Sequence, residues 1–481
     1  MLPIVDFARE PSQHAGSCVR VLLLSCLVLS LAACSRTSDV GKPAPPEIAF
    51  GPEDRVLILA PHPDDEVIGC AGVIRSTLAA KLPLKVVFLT YGDGSELAFL
   101  VHRRRPVIMP EAVRSLGLLR RDEALAAAQS LGVPGDNLTF LGYPDLGTLS
   151  IWQGHWGDRR AEEGVFTRAK AVPYANAFRP GAPYKGEEIL RDLETILREF
   201  RPTKLFVSHP ADDHPDHRAL YLFARVALWE LADVPKVALY PYLVHRSHWP
   251  VPQGYHPDAT LAPPRLSQEN VSWQSHLLKE KDIERKHAAL MKHRSQCSVS
   301  GAYLLSFVRA NELFGDLPVV TLYQDGSSGH RALERRTESL DLPEGLLEEE
   351  RLAFVGVAER SLAIEDGKLT ATVTLSRPVA GAVGVSVYLF GWRRDRAFAD
   401  MPKLHVRFGA VNHEVYDQDK KLPLTTVELT RLRDQVKIRV PLDALANPER
   451  VMTSVRTYIS AVPLDSSSWR IVELSGREGS R

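Results

Sequence analysis

The stretch Ala60-Pro61-His62-Pro63-Asp64-Asp65-Glu66 follows a short apolar run, Arg55-Val56-Leu57-Ile58-Leu59, and precedes residues 67–81, whose apolar spacing suits a helix packed on a sheet. The apolar run reads as a buried strand. One imidazole and three carboxylates therefore crowd the turn where a strand hands over to its helix. In open α/β sheets that carboxyl edge is where ligands bind. Pro61 and Pro63 flank His62 and stiffen the turn, which holds the imidazole in one direction. Like charges at short range cannot all stay ionised when buried, and a bound metal ion resolves that conflict. The plainer alternative is a capped helix, with Asp64 or Asp65 as N-cap and Glu66 in the first turn.

Working outward, His209-Pro210-Ala211-Asp212-Asp213-His214-Pro215-Asp216-His217 repeats the design. It follows Leu205-Phe206-Val207-Ser208 and precedes a helical pattern over residues 218–232. His214 and His217 stand three apart, so in a first helical turn they share a face. Two such turns on neighbouring strands would converge at one edge of a sheet. His209 reads equally well as a satisfied core or surface group.

Strand patterns fall at residues 56–59, 84–90, 138–143, 204–208 and 237–240, and helical patterns at 67–81, 118–131, 187–200, 218–232 and 274–292. This alternation predicts βαβ units and a parallel sheet over residues 48–326, an α/β fold. Tyr91-Gly92-Asp93-Gly94-Ser95, at a strand end, should border the same site. Residues 93–117, with Arg103-Arg104-Arg105, read as an irregular insertion whose arginines are solvated or meet an anionic glycan. Residues 151–186 carry Trp152, His155, Trp156, Tyr174, Phe178 and Tyr184 among many Gly and Pro. A loop of that length usually binds something, and these rings either stack on sugar faces or pack onto the domain.

The whole chain sets bounds on these readings. Its 481 residues suit two domains and a leader, and 44% hydrophobic with 25% charged residues is ordinary for a globular protein. Lys plus Arg equals Asp plus Glu, 59 each, so no overall field argues for a nucleic-acid partner. Residues 1–34 read as a signal peptide: the apolar stretch 21–31 is too short to span a bilayer comfortably, and Leu31-Ala32-Ala33-Cys34 resembles the lipobox of bacterial lipoproteins. Cys34 would carry the lipid and residues 35–47 a flexible tether. The expected location is a lipid anchor in the bacterial envelope, with Ser35 favouring the outer membrane, periplasmic side or surface, in a Gram-negative cell. Of five cysteines only Cys70 and Cys297 remain beyond the leader, which excludes a disulfide scaffold; Cys70 reads as a core residue.

Residues 327–351 are polar and read as a linker or a short exposed helix. From 352 to 476 the periodicity changes to two, as in Val385-Ser386-Val387-Tyr388-Leu389 and Val436-Lys437-Ile438-Arg439-Val440, and predicts a smaller β-sandwich. Its expected role is glycan binding, docking to an envelope protein partner, or spacing.

The motif pair resembles the PIG-L/LmbE family of zinc-dependent N-deacetylases, over about residues 55–296. Supporting pieces are Arg120-Arg121-Asp122-Glu123-Ala124, Gly142-Tyr143-Pro144-Asp145, and Lys286 through His293 to Ser295-Gln296, the last group expected at the site rim. The resemblance implies a Rossmann-like, mostly parallel sheet with helices on both faces. It implies zinc ligands at His62, Asp65 and His217, a general base at Asp64, and His214 as the group that steadies the oxyanion or protonates the amine, with Asp216 supporting it. Two imidazoles and one carboxylate are a usual zinc set, leaving a fourth position for water. The implied reaction is hydrolysis of an N-acetyl group on an amino sugar or glycan conjugate. A non-catalytic glycan-binding lipoprotein and a zinc amidase acting on another amide are the alternatives.

Overall fold

The computed structural model describes residues 44–476 except 95–108, 232–235, 265, 267–270, 337–341, 343–345 and 461. The leader, Cys34 and Arg103-Arg104-Arg105 therefore lie outside the described residues. Seven strands form the first sheet: β1 (Val56–Ala60), β2 (Leu84–Thr90), β3 (Leu138–Tyr143), β4 (Lys204–Ser208), β5 (Ala238–Tyr242), β6 (Ser272–Leu277) and β7 (Asn311–Asp316). Their order is β3-β2-β1-β4-β5-β7-β6. The first five are parallel, and β6 and β7 add an antiparallel edge. The α/β expectation holds, with a mixed sheet. The chain leaves β1 towards β2 on one side and returns to β4 on the other, so the crevice at the carboxyl ends of β1 and β4 is the topological switch point.

Among the described residues seven helices connect these strands: α1 (Asp65–Ala79), α2 (Pro110–Leu131), α3 (Thr148–Gly154), α4 (Gly186–Phe200), α5 (Pro215–Glu230), α6 (Glu280–Leu290) and α7 (Arg294–Leu305). Strand residues alternate between two cores, as the two-residue period requires. Val56, Ile58, Val86, Phe88 and Phe206 pack with α1, α2, α6 and α7. Leu57, Leu59, Val87, Leu89, Leu205 and Val207 pack with α3, α4 and α5. Cys70 is buried in the first of these cores.

Two expectations fail locally. Residues 110–117 are helical rather than irregular: Pro110 opens α2, where a missing N–H costs nothing, and Gly132 closes it at φ 88°. Residues 274–277 are not helical but belong to β6, which pairs along its length with β7. The apolar spacing of 274–292 merged a strand with the helix that follows it.

Sheet pairing in the C-terminal part begins at Val320, earlier than the alternating pattern shows. Val320–Tyr323 lies parallel to Arg470–Ser475 in an eight-stranded sheet, and Arg331–Arg335 pairs with Val357–Glu365 in a five-stranded one. Other pairings here are antiparallel, and the inner faces of the two sheets share one aliphatic core. Between these strands, Glu348–Leu352 forms a one-turn helix. Among the described residues no helix is long and apolar enough to cross a membrane.

Pro45–Arg481 cluster as one unit. The outer face of the eight-stranded sheet, through Tyr388, Phe390, Trp392, Trp469 and Ile471, joins the core of α3, α4 and α5. Trp152, Trp156, Tyr174 and Tyr184 are all buried, so these rings of the 151–186 loop pack onto the protein rather than present stacking faces.

On the other side of the sheet, the Lys286 ammonium and Glu312 carboxylate form a buried pair at 2.8 Å. Lys286 also donates to Ile68 O at 2.7 Å, and Glu312 accepts from Gly72 N and Val73 N at 2.8 and 3.1 Å, so the pair is docked on the main chain of α1. Lys286 is thus a prop for α1 and not a rim residue. Lys286→Met leaves Glu312 buried and without its cation, and should cost about 3–5 kcal/mol of stability, read from denaturant unfolding.

Candidate metal centre

The turns after β1 and β4 meet at the switch point. Asp65 Oδ2 lies 3.2 Å from His62 Nδ1 and 3.2 Å from His217 Nε2, and those two nitrogens are 3.3 Å apart. All three residues are buried. A tetrahedral zinc ion with bonds of about 2.05 Å has ligand–ligand edges of about 3.3 Å, so this nearly equilateral triangle fits such an ion. Overlapping sets, His62–His214–His217, Asp65–His217–His245 and His62–Asp145–His214–Asp216, bring donor atoms within 4.8 Å of one another. In the His62–Asp65–His217 triangle all three edges are 3.2–3.3 Å.

Each imidazole of the triangle has a carboxylate at its back, the arrangement that fixes a ligating histidine's tautomer and direction. Asp212 Oδ2 lies 3.2 Å from His217 Nδ1. Asp145 Oδ1 and Asp216 Oδ2 lie 3.2 and 3.3 Å from His62 Nε2. Asp212 is itself held by main-chain donors: Oδ2 accepts from Val244 and His245, and Oδ1 from His214. Asp216 accepts from Leu146 N at 2.6 Å and Thr148 N at 3.0 Å.

These contacts correct one expectation. The Asp216 carboxylate was assigned to support His214, but it stands 4.0 Å from His214 Nδ1 and serves His62 instead. His214 is the N-cap of α5, and its Nδ1 accepts the Asp216 main-chain N–H at 3.3 Å. The link between the two residues runs through the backbone.

Asp64 occupies a strained conformation, φ 125° and ψ −29°, and its side chain caps nothing. Capping alone therefore does not account for the first motif. The Glu66 Oε2 atom accepts from Asp64 N at 2.9 Å, and Thr90 donates to Pro61 O through both N and Oγ1. Buried Arg120 ties the turns together, donating to Gly92 O and Pro63 O at 2.7 Å each and lying 3.3 Å from Asp64 Oδ2. A Cβ on Gly92 would sit 2.3 Å from that guanidinium, and φ is 66° there, so only glycine fits.

His62, Asp64, Gly94, Arg120, Asp145, Leu146, His214, His245 and Gln296 line a cavity of about 180 Å³. Of Lys286, His293, Ser295 and Gln296 only Gln296 lies on it, and Gly94 brings the expected bordering loop to it. His293 is buried with Nε2 3.4 Å from Glu66 Oε1, and Ser295 donates to Glu123. His209 stacks on Trp273 outside the cavity, with Nδ1 accepting from Ala211 N. Asp212, Asp145, Arg120 and His245 escaped assignment, although the first three stand inside quoted motifs.

The electrostatics follow from this crowding. Burial opposes charge on His62, yet Asp145, Asp216 and Asp65 hold its pKa well above the ordinary value. Burial likewise opposes charge on His217, which Asp212 and Asp65 push up to about 9. Burial disfavours the Asp65 carboxylate, but His217 and His62 hold it well below the usual range. Burial lifts Asp64 to about 6 against the pull of Arg120, and burial with the Asp145 charge lifts Asp93 to about 7. Burial and the imidazoles of His62, His217 and His245 hold His214 well below its ordinary value.

Fold and cluster together define an α/β protein with a His/Asp cluster able to hold a metal at its sheet switch point. Residues 57–228 match the family described as PIG-L: GlcNAc-PI de-N-acetylase. It is similar to a 1D-myo-inositol 2-acetamido-2-deoxy-alpha-D-glucopyranoside deacetylase of Kribbella flavida, 26% identical over 305 residues, covering 55% of this chain and 90% of the relative. A like-named deacetylase of Saccharopolyspora erythraea is 30% identical over 186 residues, 38% of this chain and 56% of the relative. Among solved structures, the N,N'-diacetylchitobiose deacetylase of Pyrococcus horikoshii is 21% identical, with a TM-score of 0.32 over 52% of this chain and 74% of that one.

Ligating imidazoles must be neutral, whereas the surrounding carboxylates raise His62 well above its ordinary pKa and His217 to about 9. Zinc binding should therefore release protons. Calorimetric titrations at pH 7 in buffers of different ionisation enthalpy should give buffer-dependent heats, and affinity should rise about tenfold per pH unit per proton released until about pH 9. Heats that do not change with buffer would contradict this account.

Proposed function

We propose that this chain is a zinc-dependent hydrolase that removes the N-acetyl group of an N-acetylated amino sugar conjugate, releasing acetate and a free amine. The observation that carries the reading is the His62–Asp65–His217 triangle beside a cavity lined by Asp64 and His214, within the stretch that matches the PIG-L family. The names of the relatives, deacetylases of N-acetylated sugars, support the substrate class.

His62, Asp65 and His217 would hold the zinc, which when bound supplies a water of lowered pKa and polarises the amide carbonyl. Asp64 takes the proton from the attacking water. Its carboxyl, lifted by burial to about 6, is ionised at neutral pH and still basic enough to accept one. Because His214 Nδ1 accepts a main-chain N–H, the neutral ring carries its proton on Nε2 and can donate to the developing oxyanion. A ring held neutral is a poor acid, so Asp64 returns its proton to the leaving amine. Asp145, His245 and Gln296 on the cavity wall supply hydrogen-bonding groups for sugar hydroxyls.

Purified protein with zinc should release acetate from N-acetylglucosaminyl conjugates in preference to N-acetylated peptides. Asp64→Asn should lower kcat by about 10²–10⁴ while zinc content stays that of the parent. No acetate from any N-acetylhexosamine substrate by zinc-loaded protein would overturn the reading. We further propose that the mature chain is anchored in the bacterial envelope by lipid on Cys34, the cysteine that closes the lipobox. Metabolic labelling with a palmitate analogue should mark the wild type and leave Cys34→Ser unlabelled.

A further inference from the structure

The short helix α3 has two neighbours that its sequence alone does not connect. Its N-terminal end faces the metal centre: Thr148 N and Oγ1 donate to Asp216 Oδ1, Leu146 N donates to Asp216 Oδ2, and Asp145 lies 3.2 Å from His62 Nε2. Asp145 and Asp216 are the two carboxylates at the back of His62, so the segment 145–148 positions both.

Its other end is held by the C-terminal β region. The Trp152 ring lies 5.1 Å from Phe398 with planes 23° apart, 6.0 Å from Phe390 and 6.0 Å from Trp469, and is buried. Trp156 donates its indole N–H to Trp152 O and its main-chain N–H to Gln418 Oε1. The buried Lys403 ammonium lies over the Trp156 and Phe398 rings at 4.6 and 4.3 Å and donates to Phe398 O and Met401 O. From the α/β side, Glu230 accepts from Phe398 N at 2.7 Å. A seven-residue helix is too short to hold its own geometry in water, so tertiary packing sets its place.

We propose that the C-terminal β region is a positioning element of the metal centre, acting through the Phe398–Trp152 contact on α3 and from there on Asp145 and Asp216. Phe398 and Trp152 touch neither the metal ligands nor the cavity; they are positioning residues. Loosening the ring contact lets α3 shift, and both carboxylates behind His62 move with it. The β region is then part of the hydrolase rather than an appended binding module. The inference rests on the zinc reading of the His62–Asp65–His217 triangle.

The test is zinc affinity of the chelator-stripped full chain, measured by competition with a chromophoric chelator well below the melting temperature. Phe398→Ala should raise the zinc Kd about tenfold, the range seen when groups that orient metal ligands are lost. Val406→Ala, in the aliphatic core between the two β sheets, is the control. It should lower Tm and leave the Kd unchanged. If Phe398→Ala does not fold, Phe398→Leu, which keeps the bulk and loses the stacked ring, should show a smaller rise in Kd. A folded Phe398 variant with parental Kd, or an equal rise in Val406→Ala, overturns the positioning role while leaving the zinc reading intact. Wild-type protein that takes up no zinc overturns both.

Discussion

The carboxylates of Asp64, Asp65, Asp145, Asp212 and Asp216 are all buried at one edge of one sheet. Removing that many acids from water is costly unless cations lie among them. In this structure the imidazoles of His62 and His217 take the cationic part, which is why their pKa values rise despite burial. A divalent ion at the triangle would put one doubly charged centre where all of the acids can see it. The same crowding thus gives both the affinity for a metal and the coupling of that affinity to pH. Arg120 completes the balance and also joins the turns after β1 and β2.

Much of this was legible because the chemistry sits in two short runs, each directly after an apolar strand. Once residues 56–60 and 204–208 are read as neighbouring parallel strands, 62–66 and 212–217 must meet, and the structure brings all six expected site residues together. Contacts that run through the backbone were not legible. The resemblance implies that Asp216 supports His214, yet at a helix N-terminus the main-chain N–H reaches the N-cap ring first, and the carboxylate turns to His62 across 154 residues. The rim expectation for His293 and Lys286 came from the resemblance and not from any reading of their surroundings. Here both are buried against α1 and its first turn.

The C-terminal region shows another limit of pattern reading. Strict alternation in Val385-Ser386-Val387-Tyr388-Leu389 suggests one buried and one solvated face. Nine of the ten residues of Val383–Trp392 are nevertheless buried. Val385, Val387 and Leu389 enter the core between the two β sheets, and Tyr388, Phe390 and Trp392 the core shared with α3, α4 and α5. The polar members escape notice because they are satisfied in place: Ser386 Oγ lies 2.8 Å from His405 Nε2. Large aromatics at alternate positions, with Trp152 and Trp156 far away in sequence, were the available sign of a second covered face.

The strained turn at Asp64 ties these layers together. A non-glycine residue at φ 125° costs about 1–3 kcal/mol and persists only where its surroundings over-determine it. Glu66 holds its N–H, Arg120 holds the preceding carbonyl and reaches its carboxylate, and Thr90 holds Pro61. Behind them, His293 stands against Glu66, and Lys286 with Glu312 fixes α1 two turns further on. None of these groups needs to touch a substrate. Their burial keeps Asp64 aimed into the cavity rather than relaxed into an ordinary N-cap, so the strained backbone of this residue is held by neighbours on both sides of it.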